Sequence, residues 1–167
     1  MIPTGKHKPE LMAHLARVVD EIAGRPLDAA LEARLDEAFG PRTEAYRQLS
    51  TLLQVGVEEG WVAYAHVDGE GYRRGRLADP SDATARMSVE CGLLQDVKGH
   101  YHCHTLGEIN MIVPLEPKGR FCGHGAGWKV FPPMSEHFPT VEGRALILYF
   151  LPEGQIEYKA PPSELTT

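Results

Sequence analysis

The stretch Gly99-His100-Tyr101-His102-Cys103-His104-Thr105-Leu106-Gly107-Glu108 carries the strongest structural signal in this 167-residue chain. Residues two apart on a β-strand point to the same face, so a strand here places His102 and His104 side by side. The segment 105–107 can reverse the chain and return Glu108 towards them. Two imidazoles and a carboxylate on one hairpin predict a site for a divalent transition metal with open coordination positions.

A further ligand is expected from elsewhere in the chain, because three protein ligands leave the metal open to water or substrate. The best candidate is His137, in the proline-rich segment Phe131-Pro132-Pro133-Met134-Ser135-Glu136-His137-Phe138-Pro139. Proline removes backbone freedom, so such a turn is suited to fixing one imidazole.

The first 60 residues have the apolar spacing of amphipathic helices, and the chain then changes to the alternation typical of strands. Asp28 is a candidate cap of the second helix, Gly24 is a candidate end of the first, and the third is expected to end near Gly56 or Gly60. The predicted strands are 61–67, 72–77, 84–93, 100–104, 108–115, 127–131, 144–151 and 155–158, and a hairpin turn is predicted at 68–71 between the first two. This pattern predicts a helical segment over 1–60, an antiparallel sandwich or barrel over 61–160, and a loose tail over 161–167.

Composition excludes several classes of function. Asp and Glu outnumber Lys and Arg, 23 to 17, and there is no basic cluster, which disfavours nucleic-acid and anionic-membrane surfaces. No long apolar run or signal-like start is present, so a soluble, cytoplasmic protein is expected. Three cysteines, Cys91, Cys103 and Cys122, are expected to be reduced and buried, with Cys103 pointing away from its histidine neighbours.

The two histidine segments resemble the two motifs of the cupin superfamily, His-x-His-x3-Glu and Pro-x-Gly-x-x-His. Pro132 and His137 match the second motif, and Met134 stands where that motif prefers glycine. The resemblance implies a mainly β, single-domain, cupin-type antiparallel β-barrel, or jelly roll, with an N-terminal helical segment. It also implies one divalent metal ion, of identity open among Fe, Mn, Ni, Co, Zn and Cu. Its implied ligands are His102, His104, Glu108 and His137.

A narrower resemblance covers the segments 98–104, 107–111, 125–128, 130–133 and 144–154, which are similar to the 4-hydroxylaminobenzoate lyase family. It implies conversion of 4-hydroxylaminobenzoate to 3,4-dihydroxybenzoate (protocatechuate) with release of ammonia. The chemistry is a rearrangement of the Bamberger type followed by hydrolysis of an imine. A metal would serve it as a Lewis acid or by activating water.

Roles for further residues follow as hypotheses. His100, His124 and Glu136 are candidates for proton transfer, histidine being suited to neutral pH. Binding of a substrate carboxylate requires a forked donor, for which Arg76, Arg86 and Arg120 are equal candidates. A homodimer is expected, because the amphipathic helical segment offers a surface to bury.

Two other functions remain open at this point. One is a cupin dioxygenase or isomerase acting on another small aromatic or keto acid. The other is a barrel that binds a small molecule without chemistry. A full set of metal ligands disfavours the second, since an idle binding barrel has no need of three histidines and a glutamate.

Overall fold

Three helices open the chain in this computed structural model, which describes residues 1–67 and 69–162. They are α1 (Lys8–Ile22), α2 (Ala29–Phe39) and α3 (Glu44–Glu59). The side chain of Asp28 accepts a hydrogen bond from the Leu31 N–H (2.9 Å) and caps α2, as predicted. Gly60 adopts a left-handed conformation (φ 86°) at the end of α3, which glycine does without steric penalty.

Within the described residues, ten strands follow the helices and form two antiparallel sheets. The larger sheet has the order β1-β2-β3-β9-β5-β7, with β6 also paired to β9, and the smaller has the order β10-β4-β8. The strands are β1 (Ala65–His66), β2 (Tyr72–Ala78), β3 (Met87–Lys98), β4 (His102–His104), β5 (Glu108–Pro114), β6 (Arg120–Phe121), β7 (Gly127–Phe131), β8 (Ser135–His137), β9 (Thr140–Pro152) and β10 (Glu157–Tyr158).

The two faces of the larger sheet have different neighbours. One face packs against the apolar stripes of the helices, in a buried cluster that joins Leu15, Leu35 and Leu53 to Ile109 and Phe150. The other face carries a second apolar cluster, formed by Leu94, Ile112, Phe121, Val141, Ala145 and Ile147. The apolar stripes of the helices are therefore buried against the chain's own sheet.

Helix α2 covers the edge of the larger sheet at β7. The carboxylate of Asp36 accepts the Trp128 N–H (2.8 Å), and that of Glu32 accepts the Val130 N–H (2.9 Å). The Trp128 indole N–H donates to the Phe39 carbonyl (2.9 Å). Side chains of the helix thus satisfy edge groups that another strand would otherwise pair with.

The predicted mainly β fold with an N-terminal helical segment is confirmed. The sheets do not close into a complete barrel, however, and the arrangement is that of a jelly roll. The predicted first strand, 61–67, is reduced to its last part, Ala65–His66. Trp61 and Val62 instead donate their backbone N–H groups to the Gly56 carbonyl and are wholly buried beneath the end of α3.

Two predictions fall partly outside the described residues. The predicted turn at 68–71 includes residue 68, and the predicted tail at 161–167 is described only as far as Pro162. Within the described ranges, no helix is long and apolar enough to cross a membrane.

Candidate metal centre and substrate cavity

Strands β4 and β8 bring three histidines together. The two strands pair antiparallel, with His102 opposite His137 and Cys103 opposite Glu136. Alternation along β4 turns His102 and His104 to one face and Cys103 to the other, as the sequence predicts. Cys103 is buried, and all three cysteines are free thiols.

The three imidazoles converge through their Nε2 atoms. The distances are 2.9 Å from His102 to His104, 3.0 Å from His104 to His137 and 3.1 Å from His137 to His102. The Nδ1 of His102 lies 3.1 Å from the His100 carbonyl, which can only accept, so the proton sits on Nδ1. The Nε2 lone pair of His102 therefore faces its two neighbours, as a metal ligand requires.

Glu108, the first residue of β5, adjoins this histidine triad. Its Oε1 lies 3.4 Å from the His104 Nε2 and, within the described part of the chain, has no hydrogen-bond donor although it is buried. A buried acceptor without a donor is unfavourable unless a cation or another partner satisfies it. The donor set thus fits a divalent transition metal bound by the triad, with the Glu108 carboxylate beside it.

Burial sets the protonation of these groups in the metal-free fold. It lowers the pKa of His102 and His137 to about 4 and that of His104 to about 3, so the rings are neutral at pH 7. Burial also raises the pKa of Glu108 to about 8, because an isolated carboxylate is poorly solvated there. Neutral imidazoles can coordinate a metal directly. A nearby cation would favour ionisation of the Glu108 carboxyl group to a carboxylate.

A cavity of about 850 Å³ lies between the two sheets and reaches the triad. His102 and Glu108 form part of its wall near the metal centre, and His100 and Tyr101 line it from the segment that leads into β4. The remaining wall is mostly aromatic and apolar, with a few polar groups. These include Tyr72, Arg74, Asn110, Tyr149, Tyr158 and Lys159. Such a mixture suits a small aromatic molecule with polar substituents.

The structure separates the three candidates for proton transfer. His100 lines the cavity, whereas His124 is exposed in the segment between β6 and β7 and takes no part in the wall. Glu136 lies opposite Cys103, on the face of the small sheet away from the triad, and pairs with Lys159 (2.8 Å). Only His100 is thus brought to the cavity.

The three predicted carboxylate-binding arginines lie outside the cavity wall. Arg76 pairs with Asp79 (2.9 Å) and lies 3.7 Å from Glu90, and Arg86 pairs with Glu153 (3.3 Å). Arg120 is exposed on β6. The arginine that does line the cavity is Arg74, which the sequence interpretation missed.

A signal for Arg74 was present but ambiguous. Alternation places Tyr72, Arg74 and Arg76 on one face of β2 and Arg73 on the other. With arginines on both faces, the pattern does not show which face turns inward. Asn110, Tyr149 and Tyr158 were missed because an alternating strand pattern marks a cavity wall and a packed core alike.

The fold and the site define a cupin-like antiparallel β-protein with an inward-facing histidine triad at one end of its cavity. The chain belongs to the 4-hydroxylaminobenzoate lyase family, whose model, described as PnbB: 4-hydroxylaminobenzoate lyase, matches residues 13–158. Two relatives carry the name 4-hydroxylaminobenzoate lyase. The Nocardioides sp. (strain LMS-CY) protein is 39% identical over 155 residues, covering 87% of this chain and 92% of the relative. The Pseudomonas putida protein is 39% identical over 161 residues, covering 86% and 89%.

Solved structures with a similar fold have lower sequence identity to this chain. An RmlC-like cupin protein from Ralstonia eutropha JMP134 matches with a TM-score of 0.45 and 16% identity, over 60% of this chain and 66% of that one. A structure described as DMSP lyases RdDddP and RnDddQII matches with a TM-score of 0.44 and 16% identity, over 92% of this chain and 100% of that one.

Proposed function

We propose that this protein converts 4-hydroxylaminobenzoate to 3,4-dihydroxybenzoate (protocatechuate) and ammonia. The observation that carries the proposal is the family match, which spans residues 13–158 and therefore includes the whole histidine triad and most of the cavity wall. The aromatic lining of the cavity is of a kind that accepts a benzene ring.

The overall reaction consumes one water and no oxidant. The N–O bond of the hydroxylamine breaks, an oxygen is added to the neighbouring ring carbon, and water replaces nitrogen at the carbon that carried it. Nitrogen leaves as ammonia, and the ring gains two hydroxyl groups in place of one hydroxylamino group. Molecular oxygen is therefore not required, which separates this reaction from that of a dioxygenase.

His102, His104 and His137 would hold the divalent metal, with Glu108 as the fourth ligand. Bound there, the metal would supply Lewis acidity and favour the ionised form of water at neutral pH. The residues of the chain prepare this site, because burial keeps the imidazoles neutral and the His100 carbonyl fixes the orientation of His102. The identity of the metal is left open by this donor set.

His100 is the side chain that we assign to proton transfer. It lines the cavity two residues before His102, so it can exchange protons between the substrate nitrogen and solvent. Imidazole is well matched to this task near neutral pH. Departure of ammonia and loss of the ring proton both need such a carrier.

Anaerobic turnover tests the proposal. The purified protein, with its metal content measured, is incubated with 4-hydroxylaminobenzoate under nitrogen, and ammonia and protocatechuate are both followed. Equal amounts of the two products are expected. A strict need for oxygen would instead identify a dioxygenase, and a metal-loaded protein that forms neither product would overturn the proposal.

Two variants make this test specific. His102→Ala should abolish product formation, because it removes one of the converging imidazoles. His66→Ala removes an exposed histidine of β1 and should keep wild-type turnover. Wild-type turnover by both variants would show that the products arise without the proposed site.

The cytoplasmic location and the homodimer are also proposals. Since the apolar stripes of the helices are buried within the chain, a dimer would have to use another surface. Sedimentation velocity over a range of concentrations measures the oligomeric state directly, and a single monomeric species at every concentration would exclude the dimer.

A further inference from the structure

Arg74 occupies an unusual electrostatic position. Its side chain is half-buried in the cavity wall and donates a hydrogen bond to the Tyr158 hydroxyl, at 3.4 Å. Within residues 1–67 and 69–162, no carboxylate forms an ion pair with it. Arg76, two residues further along the same face, pairs with Asp79 (2.9 Å) and approaches Glu90 (3.7 Å).

The groups that act most directly on Arg74 are phenolic, and Glu108, which also lines the cavity, lies beside the histidine triad. Tyr72, Tyr149 and Tyr158 line the same cavity, and all three are uncharged at neutral pH. A guanidinium keeps its charge in such a place because its intrinsic pKa is very high. A partly desolvated cation that forms no ion pair among the described residues is suited to binding an anion, and a planar carboxylate matches its forked donors best.

Arg74 and the metal centre belong to the same cavity but to different sheets. Arg74 lies on β2 of the larger sheet, and His102 lies on β4 of the smaller one. Tyr158 connects the two, since its ring packs edge-on against His102 (centroids 5.7 Å apart) while its hydroxyl accepts from Arg74. The cavity thus has a cationic anchor and a metal centre separated by about one aromatic side chain.

We propose that Arg74 binds the carboxylate of the substrate, with the Tyr158 hydroxyl as a second hydrogen-bonding group. This inference rests on the proposed function. In a para-substituted ring the carboxylate and the hydroxylamine lie at opposite ends. Holding the first at Arg74 directs the second to the histidine triad, so Arg74 determines specificity for para-substituted aromatic acids.

Binding of non-reactive probes tests this independently of turnover. 4-Aminobenzoate retains the ring and the carboxylate but has no N–O bond to break, and aniline lacks the carboxylate as well. Calorimetry on the metal-loaded protein is expected to show that Arg74→Gln weakens 4-aminobenzoate binding by about 10- to 100-fold, the usual effect of losing charge-assisted hydrogen bonds. Aniline binding should not change.

Arg76→Gln is the matched control. It removes the same charge from the same face of β2, but the Arg76 guanidinium is engaged with Asp79 and Glu90 outside the cavity wall. Its affinity for 4-aminobenzoate should stay at the wild-type value. The reverse ranking of the two variants would overturn the proposal in favour of Arg76.

Further measurements keep the proposal falsifiable if Arg74→Gln does not fold. Arg74→Lys keeps the positive charge but lacks the paired donors of the planar guanidinium. Its affinity for 4-aminobenzoate should therefore fall in part, and its affinity for aniline should not change. Wild-type affinity of Arg74→Lys for both probes would overturn the proposal. Tyr158→Phe, which removes only the hydroxyl, should weaken 4-aminobenzoate binding by a smaller factor.

The outcomes distinguish this inference from the proposed function. Arg74-dependent binding of 4-aminobenzoate by a protein that forms no protocatechuate would overturn the lyase proposal and leave a carboxylate site. Normal turnover of 4-hydroxylaminobenzoate, with a KM that does not change in Arg74→Gln, would overturn the carboxylate assignment and leave the lyase.

Discussion

The Nδ1–H of His102 donates to the backbone carbonyl of His100, two residues earlier on the same segment. This bond fixes the tautomer of His102 and directs its Nε2 towards those of His104 and His137. The segment that begins with a cavity-lining histidine therefore also orients a histidine of the metal centre.

Loss of one imidazole should release the metal. We expect His102→Ala and His137→Ala each to weaken metal binding by more than roughly 100-fold, since loss of even a supporting hydrogen bond has effects of 10- to 100-fold. Metal content after dialysis, measured by elemental analysis, gives the result. His66→Ala serves as the control, and a His102→Ala protein that retains a full equivalent of metal would contradict the assignment.

The metal-free protein should lose stability as the pH rises, because of Glu108. The carboxyl has a pKa of about 8 in the fold against 4.5 ordinarily, so between these values the folded state holds a proton that the unfolded chain has released. Rising pH therefore favours unfolding. In chelator, wild type should lose more thermal stability than Glu108→Gln between about pH 6 and about pH 8. Parallel pH profiles of the two proteins would refute this.

The same metal-free protein should also weaken on the acidic side. The pKa values of His102, His104 and His137 lie well below the ordinary 6.5, so protons bind the unfolded chain first as the pH falls through that value. Bound metal should make this loss larger, because it keeps the folded-state imidazoles unprotonated to still lower pH while the unfolded chain takes up protons as before. Thermal melts of the metal-free and metal-loaded proteins at about pH 7 and about pH 4 make the comparison, and a smaller loss in the metal-loaded protein would contradict the triad as the metal site.

Met134 is held in a conformation that favours glycine. Its φ is 68°, in the left-handed region, and its side chain is largely exposed. We expect Met134→Gly to be more stable than Met134→Ala by about 1 kcal/mol, because both remove the exposed side chain and only glycine relieves the backbone. Urea denaturation of the pair measures the difference. An alanine variant as stable as the glycine variant would show that the backbone is not strained there.

The contact between Asp36 and β7 should contribute measurably to folding. Asp36→Ala removes the acceptor for the Trp128 N–H and should lower the free energy of unfolding by about 1–2 kcal/mol. Asp20→Ala, at an exposed position of α1, provides the control for loss of a helical carboxylate. If both variants unfold at the same urea concentration, the edge contact is energetically neutral.

Local rules were enough to predict the first half of the metal centre. Alternation placed His102 and His104 on one face, and the turn at 105–107 returned Glu108 beside His104, as observed. The preference of the second motif for glycine also has a physical reason here, since the position filled by Met134 has a positive φ. Periodicity likewise predicted amphipathic helices over the first 60 residues, and their apolar faces are buried against the sheet.

Long-range placement could not be predicted in the same way. Strand β8 has three residues, too few for a periodic pattern, so its register against β4 emerges only in the folded chain. The apolar run at Trp61 looks like a strand in sequence but fills space beneath α3. Arg74 and Arg76 lie on the same face of β2, but Arg74 lines the cavity and Arg76 pairs with acidic residues outside it. No local sequence pattern records this difference.

The hydrogen bonds between α2 and β7 limit which segments can be exchanged between relatives in a chimeric protein. Strand β7 ends at Phe131, whose ring lies 4.5 Å, centroid to centroid, from that of His137. A chimera that takes its helices from one family member and its sheets from another would have to inherit α2 and β7 from the same parent. If α2 and β7 came from different parents, their mismatched contact would displace Phe131 and His137. The chimera would then retain metal poorly, although the exchanged parts join away from the metal centre.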